Sequence, residues 1–252
     1  MRKLKIIVWL MIILISGAIV SCKKEDPVKV VTSLTMINAV AGSAPLTTDF
    51  SQNGYLPYYY GALQVQYGLY NESSRLPIDK EDQPLRLFQY PDTTSTSKPL
   101  FNLRLQLEKG SINTLFLTGS VDHPEHFITT EIPPFHNVAD STFGVRFINL
   151  SYQSRPVDIY LITGTSEKVV TGLAYKSATD YQAFKAIAAS GNYTFEFRDQ
   201  QTQSVLASYV FDEVGKASGN LWRFRNFTLA FIGLPGVTQG AEKQNTMMIP
   251  NY

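Results

Sequence analysis

The sequence predicts an all-β chain with two tandem antiparallel β-sandwich domains, and three observations lead to this fold class. Short runs in which apolar and polar residues alternate recur along the chain, and turn residues separate them. A segment near the start is repeated about 110 residues later, which indicates a duplication. Two domains of roughly 100 residues each also match the usual size of a domain with one core.

The repeated unit is predicted to be a strand, a short loop and a second strand. Its copies are Leu34-Thr35-Met36-Ile37-Asn38 with Ser43-Ala44-Pro45-Leu46, and Val145-Arg146-Phe147-Ile148-Asn149 with Ser154-Arg155-Pro156-Val157. Residues two apart share one face of a strand, so Leu34 and Met36 should face a core, while Thr35 and Arg146 should lie on a wetter face. The asparagine that ends each first strand can bond to the backbone of the turn.

A second pair of matching segments closes the two copies. Residues 114–119 have the sequence TLFLTG, and residues 228–233 have the similar sequence TLAFIG at nearly the same distance from the opening unit. The duplication therefore extends over most of the chain after residue 30.

Alternating runs predict six strands in the first copy and seven in the second. The first copy has them at residues 30–38, 45–51, 62–70, 85–90, 100–107 and 113–118. The second copy has them at residues 143–149, 156–163, 168–175, 181–187, 193–198, 204–211 and 221–232. Short strands without a long helical period favour an immunoglobulin-like topology, although a single cysteine excludes the disulfide of antibody domains.

These patterns also predict the division of the chain. It comprises a signal peptide at residues 1–21, a tether at 22–29, a first β-sandwich at 30–120, a linker at 121–140, a second β-sandwich at 141–236 and a tail at 237–252. The linker contains Pro124, Pro133 and Pro134, which favour an extended spacer. Within the tail, the apolar residues 247–249 are candidates for an edge strand.

The N-terminus has the layout of a secretory signal. A basic start precedes an apolar run over residues 6–20, which is too short for a comfortable membrane span. The run ends at Ser21 and at Cys22, the only cysteine of the chain. This arrangement resembles a bacterial lipoprotein signal, and the resemblance implies cleavage before Cys22 and its acylation. The alternative is an uncleaved anchor helix that ends in an incidental cysteine.

Three charged residues after the cysteine indicate where in the cell the protein is located. Lys24, Glu25 and Asp26 resemble the surface-export signal of Bacteroidetes lipoproteins, which implies a lipid-anchored protein on the outside of the outer membrane. Several acyl chains on one residue hold a protein stably to a bilayer, so the membrane is the expected partner of this end. The alternatives are a merely solvated tether and an anchor in the periplasmic leaflet.

The charge balance argues against nucleic acid as a partner. The chain has 22 basic and 21 acidic residues, and loss of the three basic residues of the signal leaves 19 basic residues and a net charge near −2. No basic block follows that could track a phosphate backbone. Hydrophobic residues make up 44% of the chain, which is enough to fill two cores.

Four segments of the second copy carry a resemblance to a known family. They are Val145-Arg146-Phe147-Ile148-Asn149, Pro156-Val157-Asp158-Ile159-Tyr160, Gly191-Asn192-Tyr193-Thr194-Phe195 and Phe227-Thr228-Leu229. Together they resemble the domain of unknown function 4397, which occurs in lipoproteins of Bacteroidetes and in other bacterial surface proteins. The first copy keeps the Ile-Asn and Pro positions but departs from the pattern at residues 46–49. The resemblance implies a fold and a place in the cell envelope, but no activity.

Tyrosines give the candidate ligand surface. They cluster between residues 55 and 70, and the cluster includes Tyr55, Tyr58, Tyr59 and Tyr60. Exposed tyrosines could form a flat platform for sugar rings or for a protein partner. The alternative is that these side chains fill strand positions and cover the first core.

Histidines, with the nearby carboxylates of Asp122, Glu125 and Glu131, give the best candidate metal ligands. Imidazole groups suit zinc, and His123, His126 and His136 all lie in the predicted linker. Pro124 disfavours a helix that would place His123 and His126 on one face, so solvated linker histidines are the alternative. We expect no metal and no other cofactor.

Motifs of catalysis are missing from the sequence. It contains no nucleophile elbow, no zinc-protease helix and no phosphate loop, so we expect a protein that is not an enzyme. The sequence favours a non-catalytic surface protein that binds or adheres to a glycan or a protein. One alternative is a structural subunit or anchor of a surface assembly such as a pilus. Another is a hydrolase, which would need carboxylates clustered in one cleft.

Overall fold

The computed structural model describes residues 30–51, 62–92, 94 and 96–251. Over these residues the chain is all-β and forms two sandwich-like units, which confirms the predicted fold class. Two single-turn 3-10 helices lie at Glu72–Ser74 and Val138–Asp140. Within the described ranges, no helix has the length and apolar character that crossing a membrane requires.

Each sandwich has eight strands. The first contains β1 (Thr32–Asn38), β2 (Leu46–Asp49), β3 (Gln64–Val65), β4 (Arg75–Ile78), β5 (Asp82–Gln89), β6 (Phe101–Gln106), β7 (Ile112–Gly119) and β8 (Pro124–Thr130). The second contains β9 (Thr142–Asn149), β10 (Val157–Ile162), β11 (Ser166–Leu173), β12 (Gln182–Lys185), β13 (Tyr193–Asp199), β14 (Val205–Phe211), β15 (Asn226–Ile232) and β16 (Asn245–Asn251).

Both sandwiches have the same topology, so the duplication predicted from the sequence is visible in the strand order. The first inner sheet has the order β4-β1-β7-β8, and the second inner sheet has the order β12-β9-β15-β16. The first outer sheet has the order β3-β2-β5-β6, and the second outer sheet has the order β11-β10-β13-β14. Each strand of the first copy therefore corresponds to the strand numbered eight higher.

The strand order differs from that of the immunoglobulin-like topology that the sequence favours. In each inner sheet the first and seventh strands are parallel neighbours, β1 with β7 and β9 with β15. The first and second strands belong to opposite sheets. In the constant-type immunoglobulin order, by contrast, the first two strands of the chain pair within one sheet. The sandwich architecture is thus as predicted, whereas the order of strands within it is different.

Three apolar clusters divide the molecule into four layers. One lies between the two sheets of the first sandwich and includes Leu34 and Leu87, and another lies between the two sheets of the second and includes Phe147 and Phe197. A third cluster joins the two inner sheets to each other. Its buried members are Ile37, Ala39, Phe116, Ile148, Leu150, Ala230, Ile232, Met247 and Ile249. The described residues from Val31 onwards accordingly form one compact unit.

The inner strands are consequently buried on both faces. β9 and β15 are buried at every position, as expected of doubly covered strands, and this includes their polar residues such as Arg146 and Thr228. The wetter face predicted for Thr35 and Arg146 is wrong, because that face packs against the other sandwich. Arg146 is only 2% exposed.

The strands β1 and β7 of the first sandwich run in the same direction as β9 and β15 of the second. Near the starts of β1 and β15, the Arg75 Nη2 donates to the carbonyl oxygen of Pro250 at 2.9 Å. At the opposite end, the Thr118 Oγ1 donates to the carbonyl oxygen of Leu150, just after β9, at 3.1 Å. The end at which β1, β7, β9 and β15 begin is called the entry end below, and the opposite one is called the far end.

The repeated asparagines hold the turn that leads from the inner to the outer sheet. The Asn38 Nδ2 donates to the carbonyl oxygen of Val65 at 3.2 Å, and its Oδ1 accepts from the backbone of Val40 at 3.0 Å. The Asn149 Nδ2 donates to the carbonyl oxygen of Leu173 at 3.1 Å, and its Oδ1 accepts from Ser151 at 3.0 Å. Each asparagine also bonds to the serine five residues later. The repeat in the sequence is therefore a repeated hydrogen-bond network.

Two segments for which the sequence predicts no strand contain one in the structure. The segment predicted as a linker at 121–140 includes β8, which pairs with β7 along its whole length because Phe127 stacks on Phe116 with ring centroids 5.1 Å apart. The predicted loop after residue 70 contains β4, which pairs with β1. Within the predicted tail, β16 is an edge strand that pairs with β15, and it contains the apolar residues proposed for that role.

Candidate functional site

An open cleft lies at one side of the first sandwich. It is located where β3 and β4, the edge strands of the outer and inner sheets, come to the same side, and its volume is about 580 Å³. Apolar walls come from Phe50, Leu63, Leu76 and Ile78. A cleft of this size, with mostly apolar walls and a few polar groups, has the features of a ligand pocket.

Polar groups stand at one end of the cleft. The carboxylate of Asp49 is almost completely buried and accepts from the Arg86 Nε at 2.9 Å, and from the backbone and hydroxyl of Ser51 at 2.9 and 2.7 Å. Burial works against ionisation, but the hydrogen bonds of Ser51 and the charge of Arg86 outweigh it, so the pKa of Asp49 lies below its usual value. Asp49 is therefore a fixed negative charge that is already paired, whereas Asp79 and Lys80 form the exposed charged rim.

The corresponding side of the second sandwich is bridged. There the edge strands are β11 and β12, and the Gln182 Nε2 donates to the carbonyl oxygen of Val169 across them at 3.3 Å. β11 has eight residues, whereas its counterpart β3 has only two. The two copies thus share a topology, but among the described residues they differ at this side.

The sequence gives little sign of the cleft. Its walls come from loop ends and from β4, a four-residue strand that contains Pro77 and lacks a clear alternation. The departure of the first copy from the repeated pattern at residues 46–49 was the available signal, since those residues form β2 beside the cleft.

The tyrosine cluster of residues 55–70 lies partly outside the described residues. Tyr55, Tyr58, Tyr59 and Tyr60 lie outside the described residues; the residues on either side of that segment, Ser51 and Ala62, line the cleft.

The two described tyrosines of that cluster are packed into the protein. Tyr70 packs against the third apolar cluster. Burial, together with the nearby charge of Glu242, raises the pKa of Tyr67 to about 12. Both are half-buried, and Tyr70 packs between the two sandwiches and not in the first core.

Histidines of the predicted linker do not meet. His123 and His126 flank the start of β8 at the far end, whereas His136 lies at the entry end. His136 is buried and bonded at 2.9 Å to both the Thr142 Oγ1 and the Asn226 Oδ1. His126 faces the ring of Phe101, and burial, with a smaller effect of the Lys176 ammonium, lowers its pKa. Among the described residues, no three His, Cys, Asp or Glu side chains could together hold a metal ion.

A buried charge lies between the two sandwiches. Arg146 donates to the Thr228 Oγ1 at 2.7 Å, forms an ion pair with Glu131, and lies 5.2 Å from the ring centroid of Tyr181. The space beside it has room for about one water molecule only. This cluster fixes the two inner sheets against each other and offers no room for a ligand.

The residues of the predicted anchor, Cys22, Lys24, Glu25 and Asp26, lie outside the described residues. No model of a known protein family matches this chain. No curated protein is significantly similar to it either. The resemblance of the second copy to the domain of unknown function 4397 therefore stays a prediction from the residues quoted above.

Proposed function

We propose that this chain is a non-catalytic lipoprotein of the cell envelope that binds a glycan or a protein at the open side of its first sandwich. The observation that carries the proposal is the difference between the two copies. Duplicated units with one topology keep their cores, but the side that Gln182 bridges in the second copy is open in the first, where a cleft of about 580 Å³ lies between the edge strands. A cleft bordered by edge backbone and apolar side chains suits a flat ring or an extended segment.

The position of the tyrosine-rich segment supports this proposal. Tyr55, Tyr58, Tyr59 and Tyr60 lie between two residues that line the cleft. Tyrosine rings offer a large contact area and a polar hydroxyl, which suits both sugar rings and protein surfaces. The ligand surface of this proposal consists of the cleft together with these four tyrosines.

Binding can be tested with the mature chain on a glycan array and in a pull-down from the native environment. Ala62→Trp should fill the cleft and reduce binding at least tenfold, because Ala62 forms part of its wall. Ala183→Trp is the matched control, since Ala183 lies exposed on β12 of the other copy. Equal binding by both variants would contradict the assignment of the cleft.

The anchor has its own test. The proposal places an acylated Cys22 at the N-terminus of the mature protein, with the chain held in the outer membrane and exposed on the cell surface. Mass spectrometry of the protein from its native host should detect an N-terminal acylated Cys22 without residues 1–21. Protease treatment of intact cells should then remove the folded part. Protection from protease would place it in the periplasmic leaflet instead.

A structural role in a surface assembly is a second proposal. One observation favours it: β16, the last strand of the chain, is an edge strand that supplies Met247 and Ile249 to the third apolar cluster. Such a strand could be exchanged between copies, because edge strands offer unpaired backbone groups. Native extracts should then contain oligomers, and a strictly monomeric native protein would contradict this role.

A further inference from the structure

The exposed apolar side chains are concentrated at one end of the molecule. Twelve large apolar side chains of the described residues are exposed, and a group of seven from segments next to the inner strands lies at the entry end. These are Val31, Ile132, Phe135, Val138, Ile187, Leu221 and Phe224. They are called the entry patch below.

Hydrogen bonds place these residues at the same end. Val31 precedes Thr32, whose Oγ1 donates to the carbonyl oxygen of Glu108, and Glu131 donates to the carbonyl oxygen of Ile112 at the start of β7. Around the start of β9, the backbone N–H of Phe224 donates to the carbonyl oxygen of Thr142 at 2.8 Å. Likewise, Ala186, the residue before Ile187, donates to the carbonyl oxygen of Ser141 at 2.7 Å.

The most exposed members are held in place by their neighbours. Phe135 is 90% exposed and Ile132 is 86% exposed, although both lie within five residues of the buried His136. The Asn226 Nδ2 donates to the carbonyl oxygen of Pro134 at 2.9 Å, and the His136 ring bonds to Thr142. The segment is thus fixed to the body at its polar residues while its apolar side chains point outwards. Large apolar groups held in this way mark an interaction surface.

The length of the tether indicates which surface the entry patch contacts. Val31 is the ninth residue after Cys22, so a fully extended chain between them reaches about 30 Å at most. Since β1 begins at the entry end, an acylated Cys22 would hold that end within this distance of the bilayer. Charged residues of both signs, such as Lys109, Asp140 and Lys185, surround the patch, which suits the zwitterionic headgroup region of a membrane better than a surface of one sign.

We infer that the entry patch rests in the interfacial region of the bilayer that holds the lipid anchor, so that the block stands with its far end away from the membrane. The inference rests on the proposed acylation of Cys22. Phe135, Ile132 and Val138 insert among the lipid headgroups, and the anchor supplies the local concentration that makes this shallow contact effective.

The test uses the full-length protein reconstituted into phosphatidylcholine vesicles, with one nitroxide label at an introduced cysteine. Phe135→Cys and Val138→Cys probe the patch, and Val205→Cys is the matched control, because Val205 is an exposed valine at the far end. Relaxation by oxygen, which concentrates in the bilayer, is compared with relaxation by a water-soluble nickel chelate. The ratio of oxygen to nickel accessibility should be several-fold higher at 135 and 138 than at 205. Serine at both Ile132 and Phe135 should return the label at 138 to the value at 205.

The wild-type chain, which has no introduced cysteine, distinguishes a failure of the proposed anchor from a failure of the proposed membrane contact. An acylated Cys22 has no thiol, so the wild-type protein should take up no label; uptake of one label per chain would refute the anchor itself. If Cys22 is blocked and the labels at 135 and 138 still behave like the label at 205, the membrane contact is refuted. Spin–spin broadening between labels at 135 would assign the patch to a second copy and would also overturn the inference.

Discussion

Single polar residues, buried and fully bonded, specify much of this fold. Asn38 and Asn149 each close the turn from an inner to an outer sheet with the same set of partners. Asp158 is buried at the start of β10 and accepts bonds from β11 and from the loop after β13. Because a buried polar group without partners is costly, each of these residues makes its local backbone path the favourable one.

Replacement of either asparagine by alanine should destabilise the protein strongly. Each variant removes two hydrogen bonds between the buried amide and the backbone, so we expect a loss of about 2–4 kcal/mol. The two losses should be similar, since Asn38 and Asn149 have equivalent contacts. Urea unfolding measures the effect, and Asn102→Ala on the exposed face of β6 is the control. A loss below about 0.5 kcal/mol in both variants would contradict this role of the repeat.

Tyr67 and Tyr175 occupy matching places in the two copies but differ in their bonding. The Tyr175 hydroxyl is 3.2 Å from the Thr118 Oγ1, whereas the Tyr67 hydroxyl is buried without a hydrogen-bond partner among the described residues. Tyr175→Phe should therefore cost about 0.5–1.5 kcal/mol of unfolding free energy, while Tyr67→Phe should be neutral or stabilising. Chemical denaturation of both variants is the measurement, and a larger loss for Tyr67→Phe would be the contrary result.

The same two residues make stability depend on alkaline pH. Burial is the main reason that the pKa of both rises to about 12 from an ordinary value of 10.0. A raised pKa stabilises the fold below pH 10, and this contribution is lost as the pH rises from about 10 to about 12.

Asp158 should produce a dependence on acid. Burial opposes its ionisation, but bonds from the Lys168 Nζ at 2.6 Å, from Gly172 at 2.9 Å and from Gln203 at 3.1 Å outweigh it and lower the pKa of Asp158 below 3.8. A lowered pKa stabilises the fold above about pH 4, and this contribution disappears as the pH falls through the folded-state pKa. Asp158→Asn should cost about 1–3 kcal/mol at pH 7 and less at pH 3. Asp122→Asn, at an exposed site, should change neither value, and an equal loss at both pH values would contradict the assignment.

At the scale of strands, the hairpins that close the two inner sheets depend on matching glycines. Gly119 and Gly233 end β7 and follow β15, and both have a positive φ, of 84° and 96°. A Cβ on Gly233 would lie 2.6 Å from the carbonyl oxygen of Lys243, and one on Gly119 would overlap the carbonyl oxygen of His123. Only glycine fits these turns, which explains why the residue recurs at the end of both matching segments.

Alanine substitutions can distinguish the cost of a positive φ from the cost of steric overlap of the added Cβ. Gly164 also has a positive φ, of 89°, but a Cβ there would meet no atom within 4 Å. Gly164→Ala should therefore cost about 1 kcal/mol, whereas Gly119→Ala and Gly233→Ala should cost more, about 2–4 kcal/mol. Thermal unfolding of the three variants compares them directly. Equal losses would show that the crowded backbone relaxes without cost.

The strands that the sequence revealed and those that it hid differ in their surroundings. Alternation identified β5 and β13 because one face of each meets a core and the other is wetter. The pattern did not identify β4 and β8, which are edge strands with a proline each and irregular burial. For β8, the run Phe127-Ile128-Thr129 was the available signal, since aromatic and β-branched residues favour strands.

At the scale of the whole molecule, the packing of one sandwich on the other could not be predicted from the sequence. Thr35 and Arg146 are polar, and polar residues on a strand suggest a solvent-facing side. Arg146 is buried instead because Glu131, Thr228 and Tyr181 surround it. The candidate cleft was hidden for a different reason, because loop ends and β4, a short strand without clear alternation, form its walls. The candidate tyrosines, by contrast, were recognisable from composition alone.

Calorimetry of the mature chain tests most directly whether the two copies form one body. The third apolar cluster, with Ala230 fully buried at its centre, should couple the sandwiches, so the chain should unfold in a single transition with equal calorimetric and van't Hoff enthalpies. Ala230→Arg places a charge in that interface and not in either core, and it should split the curve into two transitions. Two separate transitions in the wild-type chain would contradict the account.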